Sequence, residues 1–393
     1  MTPVPLPGGF SAHVANVGIK DSSLDFAVLA ADRDCAVAGV FTRSLFAGPS
    51  VTLSREHVAD GAARAVVVVS KNANVANGEA GHADAVELAE LTGRALGCDP
   101  ADVIVASTGV IGRRYPMDRI RDHLRGMPSA PEGNDAVQVA TAIMTTDTHP
   151  KVATAKVATL EGGTANVVGM AKGVGMIEPD MATMLAFVLT DAEVPIMELR
   201  KAFSQVIDRS FNSLSVDTDT STSDTAVVLA SGAAGPVETG DFALALQAVC
   251  TELTRQLASD GEGATKLLVV EVSGARDDAQ AKRVAKSVVN SPLVKTAVHG
   301  ADPNWGRVAM AVGKCSDDTD IDPAQVQISF GGTRVYPVTP GSDEEALLAD
   351  LEDYLAGGEV HIGVDLGISA GTWTVYGCDL SDGYVRINAD YTT

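Results

Sequence analysis

The chain has 393 residues, 46% of them apolar, enough for one large or two ordinary domains around a substantial core. Its 51 Asp and Glu against 29 Lys and Arg give a net charge of −22, which argues against a nucleic-acid backbone as partner, since that needs clustered cations. There is no apolar run of membrane-spanning length, no basic-then-apolar start, and no CxxC among the five cysteines (Cys35, Cys98, Cys250, Cys315, Cys378), so the expectation is a cytoplasmic protein without a zinc site.

Strand-like and helix-like segments alternate along the chain. Ala65-Val-Val-Val-Val-Ser70 and Asp102-Val-Ile-Val-Ala106 are short continuous apolar runs, as in strands covered on both faces. Between them, Ala85, Leu88, Leu91, Ala95 and Leu96 form a helical stripe, with Glu90 and Arg94 spaced for an i,i+4 pair. Ile196, Leu199, Phe203, Val206 and Ile207 predict a second helix, and Phe242, Leu246, Val249, Leu253 and Leu257 a third. Leu267-Leu-Val-Val-Glu-Val272 reads as strand. Ser342 and Glu345 have capping-box spacing ahead of a stripe from Leu347 to Leu355. The tail, Thr372-Trp-Thr-Val-Tyr376 and Tyr384-Val-Arg-Ile387, reads as strand again. This is an α/β protein. Periodicity leaves open a parallel doubly wound sheet or two stacked sheets between helices.

The familiar catalytic signatures are missing. There is no Gly-x-x-x-x-Gly-Lys-Ser/Thr, no His-Glu-x-x-His and no Gly-x-Ser-x-Gly, and the seven histidines are scattered. Gly173-Val-Gly175 lacks the third glycine of a dinucleotide loop, and the lysine of Gly261-Glu-Gly-Ala-Thr-Lys266 does not follow a glycine. Asp217-Thr-Asp219 and Asp317-Asp-Thr-Asp-Ile-Asp322 lack the turn glycine and distal glutamate of a calcium loop.

The most informative stretch is Gly169-Met-Ala-Lys-Gly-Val-Gly-Met-Ile-Glu-Pro-Asp-Met-Ala-Thr-Met-Leu-Ala-Phe187. With Ser107-Thr-Gly-Val-Ile-Gly112, Ala142-Ile-Met-Thr-Thr-Asp-Thr148, Asp260-Gly-Glu-Gly-Ala-Thr-Lys266, Ser291-Pro-Leu-Val-Lys-Thr-Ala-Val298, Gly300-Ala-Asp-Pro-Asn-Trp-Gly-Arg307 and Asn388-Ala-Asp-Tyr-Thr-Thr393, it resembles the ornithine acetyltransferase family along nearly the whole chain. These are self-processing glutamate N-acetyltransferases of arginine biosynthesis with an N-terminal nucleophile. The resemblance implies a four-layer αββα sandwich of the N-terminal-nucleophile type, with a smaller C-terminal lobe near residues 280–360. It also implies cleavage between Ala182 and Thr183, into pieces 1–182 and 183–393 that stay paired and assemble further.

That chemistry suits the residues. Cleavage frees an α-amine on Thr183 beside its own hydroxyl, and with an unperturbed pKa near ~7.7–8.0 the amine can take the hydroxyl proton at physiological pH. By resemblance Thr108 and Gly109 form the oxyanion site, and Thr146, Lys172, Thr183, Glu262, Asn388 and Thr393 contact substrate. Lys172 suits the substrate α-carboxylate and Glu262 the cationic amine of ornithine. A site at Thr393 requires a docked tail. No metal or cofactor is implied, and the substrates are N-acetylornithine and glutamate.

The sequence departs from the family pattern twice. Gly78-Glu-Ala-Gly81 follows Asn72-Ala-Asn-Val-Ala-Asn77 where Asn-Ala-Cys-Thr-Gly is expected, and Thr218 stands where glycine is expected. The rival functions are an aminopeptidase or amidase of similar fold, which hands the acyl group to water, and a non-catalytic amino-acid-binding protein.

Overall fold

The computed structural model describes residues 2–178, 184–338 and 344–390. The first half runs β1 (Phe10–Ala15), β2 (Phe26–Phe41), α1 (Pro49–His57), β3 (Ala62–Val69), α2 (Gly78–Leu96), β4 (Val103–Ser107), α3 (Met117–Gly126), α4 (Ala136–Ala142), β5 (Lys151–Ala158), β6 (Thr164–Lys172), β7 (Leu185–Glu193) and α5 (Ile196–Arg209). The second runs β8 (Leu214–Ser215), β9 (Thr225–Pro236), α6 (Thr239–Ser259), β10 (Leu267–Ala275), α7 (Asp278–Val289), α8 (Pro292–His299), α9 (Trp305–Gly313), β11 (Gln327–Phe330), β12 (Thr333–Tyr336), α10 (Glu344–Leu355), β13 (Glu359–Asp365), β14 (Gly371–Cys378) and α11 (Asp382–Asp390).

These elements form two compact units, Met1–Asn212 with Asp219–Leu253, and Ser213–Thr218 with Thr254–Thr392. The second unit is wider than the lobe expected at 280–360. Each unit carries one sheet of mixed direction, which excludes the all-parallel alternative and gives the α/β class expected. The first sheet has the order β4-β3-β2-β9-β7-β6-β5, with β1 also on β2. The second has the order β12-β11-β13-β10-β14-β8.

Near-continuous apolar strands are covered on both faces, as the valine run at 66–69 predicts. Val67 and Val69 pack with Ala85, Leu88 and Ala89 of α2 and Ile120 and Leu124 of α3. Val66 and Val68 pack on the opposite side with Val139, Ala140 and Ile143. In the second unit, α7 places Ala281, Val284, Ala285 and Val288 against Val270 and Val272 of β10.

β6 and β7 pair antiparallel with Lys172 opposite Leu185, so residues 173–184 connect two neighbouring strands. β7 and β9 pair parallel with Leu185 opposite Thr225. β7 and β9 therefore lie between β6 on one side and β2 on the other.

Two local readings change. Tyr384-Val-Arg-Ile387 is helical, inside α11, not a strand. Four alternating residues are too few to separate the two periods. Here Ser381 Oγ accepts from the Gly383 N–H (3.0 Å) at the helix start, and Arg386 pairs with Asp382 one turn back (2.8 Å). Glu90 and Arg94 make no ion pair among the described residues, and Arg121 bridges to Glu87 instead (2.6 Å). Of the capping box, Ser342 lies outside the described residues.

Candidate functional site

Thr108 and Gly109 follow the last residue of β4. The Thr108 N–H donates to Val69 O at 3.1 Å, and the Val110 N–H to Lys71 O at 3.4 Å, which lays the turn along residues 71–73. Gly109 has φ +129°, and a Cβ there would stand 2.2 Å from the Lys71 carbonyl carbon and 2.5 Å from Asn72 N. No other residue fits without moving one of the two backbones. The opposing segment is itself unusual, with Lys71, Asn74 and Ala76 at φ 70°, 51° and 62°. Asn72 pins it, donating from Nδ2 to Arg114 O (2.9 Å) and accepting the Asn74 N–H on Oδ1 (2.8 Å).

Lys172, the last residue of β6, is buried, and its Nζ donates to Thr108 Oγ1 at 3.1 Å. This brings together two of the residues singled out from the sequence. Behind them stands a pair that sequence reasoning missed. Asp147 Oδ1 accepts from Lys151 Nζ and from the Gly173 N–H, both at 2.7 Å, and its Oδ2 accepts the Thr145 N–H at 3.1 Å. Burial alone would raise the Asp147 carboxyl. The charges of Lys172 and Lys151 and the bonds from Lys151 and Gly173 outweigh it and hold Asp147 below the ordinary carboxylate range. One carboxylate thus fixes the turn containing half-buried Thr146, the start of β5, and the chain leaving Lys172.

Ala182 and Thr183 lie outside the described residues. The next residue, Met184, is tied at both backbone groups: its N–H donates to Asp224 Oδ1 at 2.7 Å, and its O accepts the Thr225 N–H at 3.1 Å. Asp224 is fully buried, and among the described residues its Oδ2 has no hydrogen-bond partner. Burial pushes this carboxyl well above the ordinary range. The Met184 N–H, the Lys172 charge and the nearby Ser221 and Thr42 hydroxyls offset that only in part. The sequence signal was faint: a lone acid in Ser221-Thr-Ser-Asp224, directly before an apolar strand.

In the second unit Asn388 Nδ2 donates to Glu262 Oε2 at 3.0 Å, which joins two more of the expected residues. Asn388 stands on exposed α11, and the start of that helix packs on Gly263. Gly263 has φ +69°, and a Cβ there would meet Tyr384 N at 2.2 Å. Lys266 of the same motif is structural. Its buried Nζ donates to Val298 O (2.8 Å) and Leu355 O (2.6 Å), at the ends of α8 and α10. Thr393 lies outside the described residues. Among the described residues no three His, Cys, Asp or Glu side chains cluster to hold a metal ion, and no helix is long and apolar enough to cross a membrane.

The ArgJ family profile matches residues 11–393. Glutamate N-acetyltransferase Oat2 of Streptomyces clavuligerus is 57% identical over 392 residues, covering 98% of each chain. The arginine biosynthesis bifunctional protein ArgJ of Rhodococcoides fascians is 52% identical over 388 residues, 98% of this chain and 94% of that one. ArgJ 2 of Nostoc is 53% identical over 387 residues, 98% of each.

Proposed function

The chain belongs to the ArgJ family, and we propose that it is a glutamate N-acetyltransferase that moves acetyl from N-acetylornithine to glutamate through an ester on Thr183. The observation that carries this reading is the Lys172–Thr108 contact. A buried cation and a glycine turn meet where β6 ends, ten residues ahead of the Ala182–Thr183 bond in sequence.

The Thr183 hydroxyl first attacks the Ala182 carbonyl carbon. The C–N bond breaks, the nitrogen takes a proton, and water hydrolyses the resulting ester to leave a free Thr183 amine. That amine then accepts the hydroxyl proton as Oγ attacks the acetyl carbonyl of N-acetylornithine. The proton passes to the departing ornithine amine. Glutamate's amine attacks the acetyl ester in turn, which restores the Thr183 hydroxyl. Thr108 and Gly109 stabilise the oxyanion of each tetrahedral intermediate. By resemblance, Lys172 suits the substrate α-carboxylate, Thr146 and Asn388 its amide and carboxylate oxygens, and Glu262 the cationic amine, with Thr393 a further substrate contact.

The sheet order supports lasting association of the two pieces. β7 and β9 of 183–393 lie between β6 and β2 of 1–182, so separating the pieces would break pairing on both sides. The α and β pieces assemble further as paired heterodimers. Five free cysteines suit the reducing cytoplasm where such biosynthesis runs.

The test is the intact mass of wild type and Thr183→Ala, followed by acetyl partition with and without glutamate. Two pieces meeting at 182/183, an uncut variant and acetyl appearing on glutamate are expected. Acetate as the main product would favour the amidase, and an uncut, fully active wild type would overturn the mechanism.

A further inference from the structure

We propose that Asp224 is a positioning residue for the reactive threonine, acting through the Met184 amide to fix the peptide group that Thr183 shares with Met184. This rests on the reading of Thr183 as the nucleophile.

Met184 N is the nitrogen of the Thr183–Met184 peptide bond, so a hydrogen bond on that nitrogen constrains the plane that contains the Thr183 carbonyl. Asp224 Oδ1 accepts from it at 2.7 Å, and the Thr225 N–H holds Met184 O at 3.1 Å. Met184 is thereby fixed from both of its backbone groups to two consecutive residues. Leu185, one residue on, is paired to Lys172 on one side and Thr225 on the other. After cleavage the bond to Met184 is the only covalent tether that Thr183 keeps. The orientation of that tether then sets where the amine and hydroxyl point, and a misplacement of about 1 Å at a reacting group can cost about 10²-fold in rate.

The arrangement has a cost that a purely structural contact would not need. Asp224 is wholly shielded, and its second oxygen has no hydrogen-bond partner among the described residues. An unmade buried bond of this kind carries an unoffset desolvation penalty. Burial pushes the carboxyl well above the ordinary carboxylate range against the nearby Lys172 charge, and Oδ1 is the acceptor of the Met184 N–H. An asparagine would offer the same acceptor in nearly the same place.

The experiment follows self-cleavage of the full chain during cell-free synthesis, sampled over time by intact mass, and then steady-state kinetics on the mature fraction. Asp224→Ala is expected to slow cleavage at least tenfold. It should also lower kcat at least tenfold, while KM for N-acetylornithine stays within twofold. Asp224→Asn should recover both rates to within about threefold of wild type. Cleavage of Asp224→Ala at the wild-type rate overturns the proposal, and so does an Asp224→Asn variant as slow as the alanine. Should the alanine variant not fold, Asp224→Asn decides alone: a rate within threefold from pH 6 to 8 upholds the proposal, and a tenfold loss overturns it. An uncut but active wild type would instead remove the underlying nucleophile reading, whatever the variants do.

Discussion

Lys151 Nζ donates to Asp147 Oδ1 across 2.7 Å, and neither side chain reaches solvent. Removing one partner of an isolated buried pair costs about 3–5 kcal/mol, an upper bound here because Asp147 keeps the Lys172 charge and the Gly173 and Thr145 N–H bonds. Lys151→Met is therefore expected to lose up to that much stability in urea unfolding at pH 7. Adding Asp147→Asn should restore part of the loss, because the buried charge disappears with it. A single variant within ~1 kcal/mol of wild type would show that the pair is not electrostatically committed.

Gly109 faces a backbone with no room for a side chain: an added Cβ would stand 2.2 Å from the Lys71 carbonyl carbon. Gly109→Ala must therefore move the 108–110 turn away from residues 71–73. The oxyanion donors proposed there would move with it, and losing one such donor costs about 10²–10³ in rate. The expected outcome is a fall in kcat of that size with a much smaller change in KM. Unchanged kcat in a folded variant would remove this turn from the site.

Much of this arrangement was legible before any coordinates. The stripe from Ala85 to Leu96 and the valine run at 66–69 predicted α2 and β3, because each pattern reports one covered face. Thr108 and Lys172, 64 positions apart, came from resemblance and do touch. Asp147 lies inside the Ala142–Thr148 stretch with no signal of its own, and Asp224 belongs to none of the motifs. Their importance depends on register: Lys172 against Leu185, and Leu185 against Thr225, join three distant segments in a way no local pattern records. Tyr384-Val-Arg-Ile387 misled for the opposite reason, since four residues alternate by chance and no neighbouring strand was there to test them. Lys266, whose place after threonine already spoke against a phosphate loop, instead donates to carbonyls at positions 298 and 355.

Thr218, where the family pattern has glycine, sits at φ +69°. For a β-branched residue the left-handed region costs about 1–2 kcal/mol. Glycine removes that cost but adds about 0.5–1 kcal/mol of unfolded-chain entropy. Thr218→Gly should therefore stabilise the protein by about 0–1.5 kcal/mol, read as a small rise in urea midpoint with an unchanged m-value. A clear loss of stability would mean that the threonine side chain has a role outweighing its backbone strain.

Acid and base act in opposite senses on the two buried aspartates. Asp147 has a folded pKa below its ordinary value, so its stabilisation is complete above the unfolded value of ~3.9 and is lost as pH falls through the folded one. Asp224 has a folded pKa well above ordinary, because burial disfavours its charge. Its stabilisation is complete below ~3.9 and is lost as pH rises towards the folded value, since the unfolded carboxyl ionises first. Asp224→Asn removes only this second dependence. The stability difference, variant minus wild type, should therefore climb from about pH 4 upward by ~1.4 kcal/mol per pH unit, until Asp224 ionises in the folded protein. Any fixed cost of seating the amide shifts that line without tilting it, so the slope is the diagnostic. Urea unfolding of both proteins from pH 4 to 8 measures it, and a flat difference would mean that Asp224 is charged in the folded state, held so by Lys172.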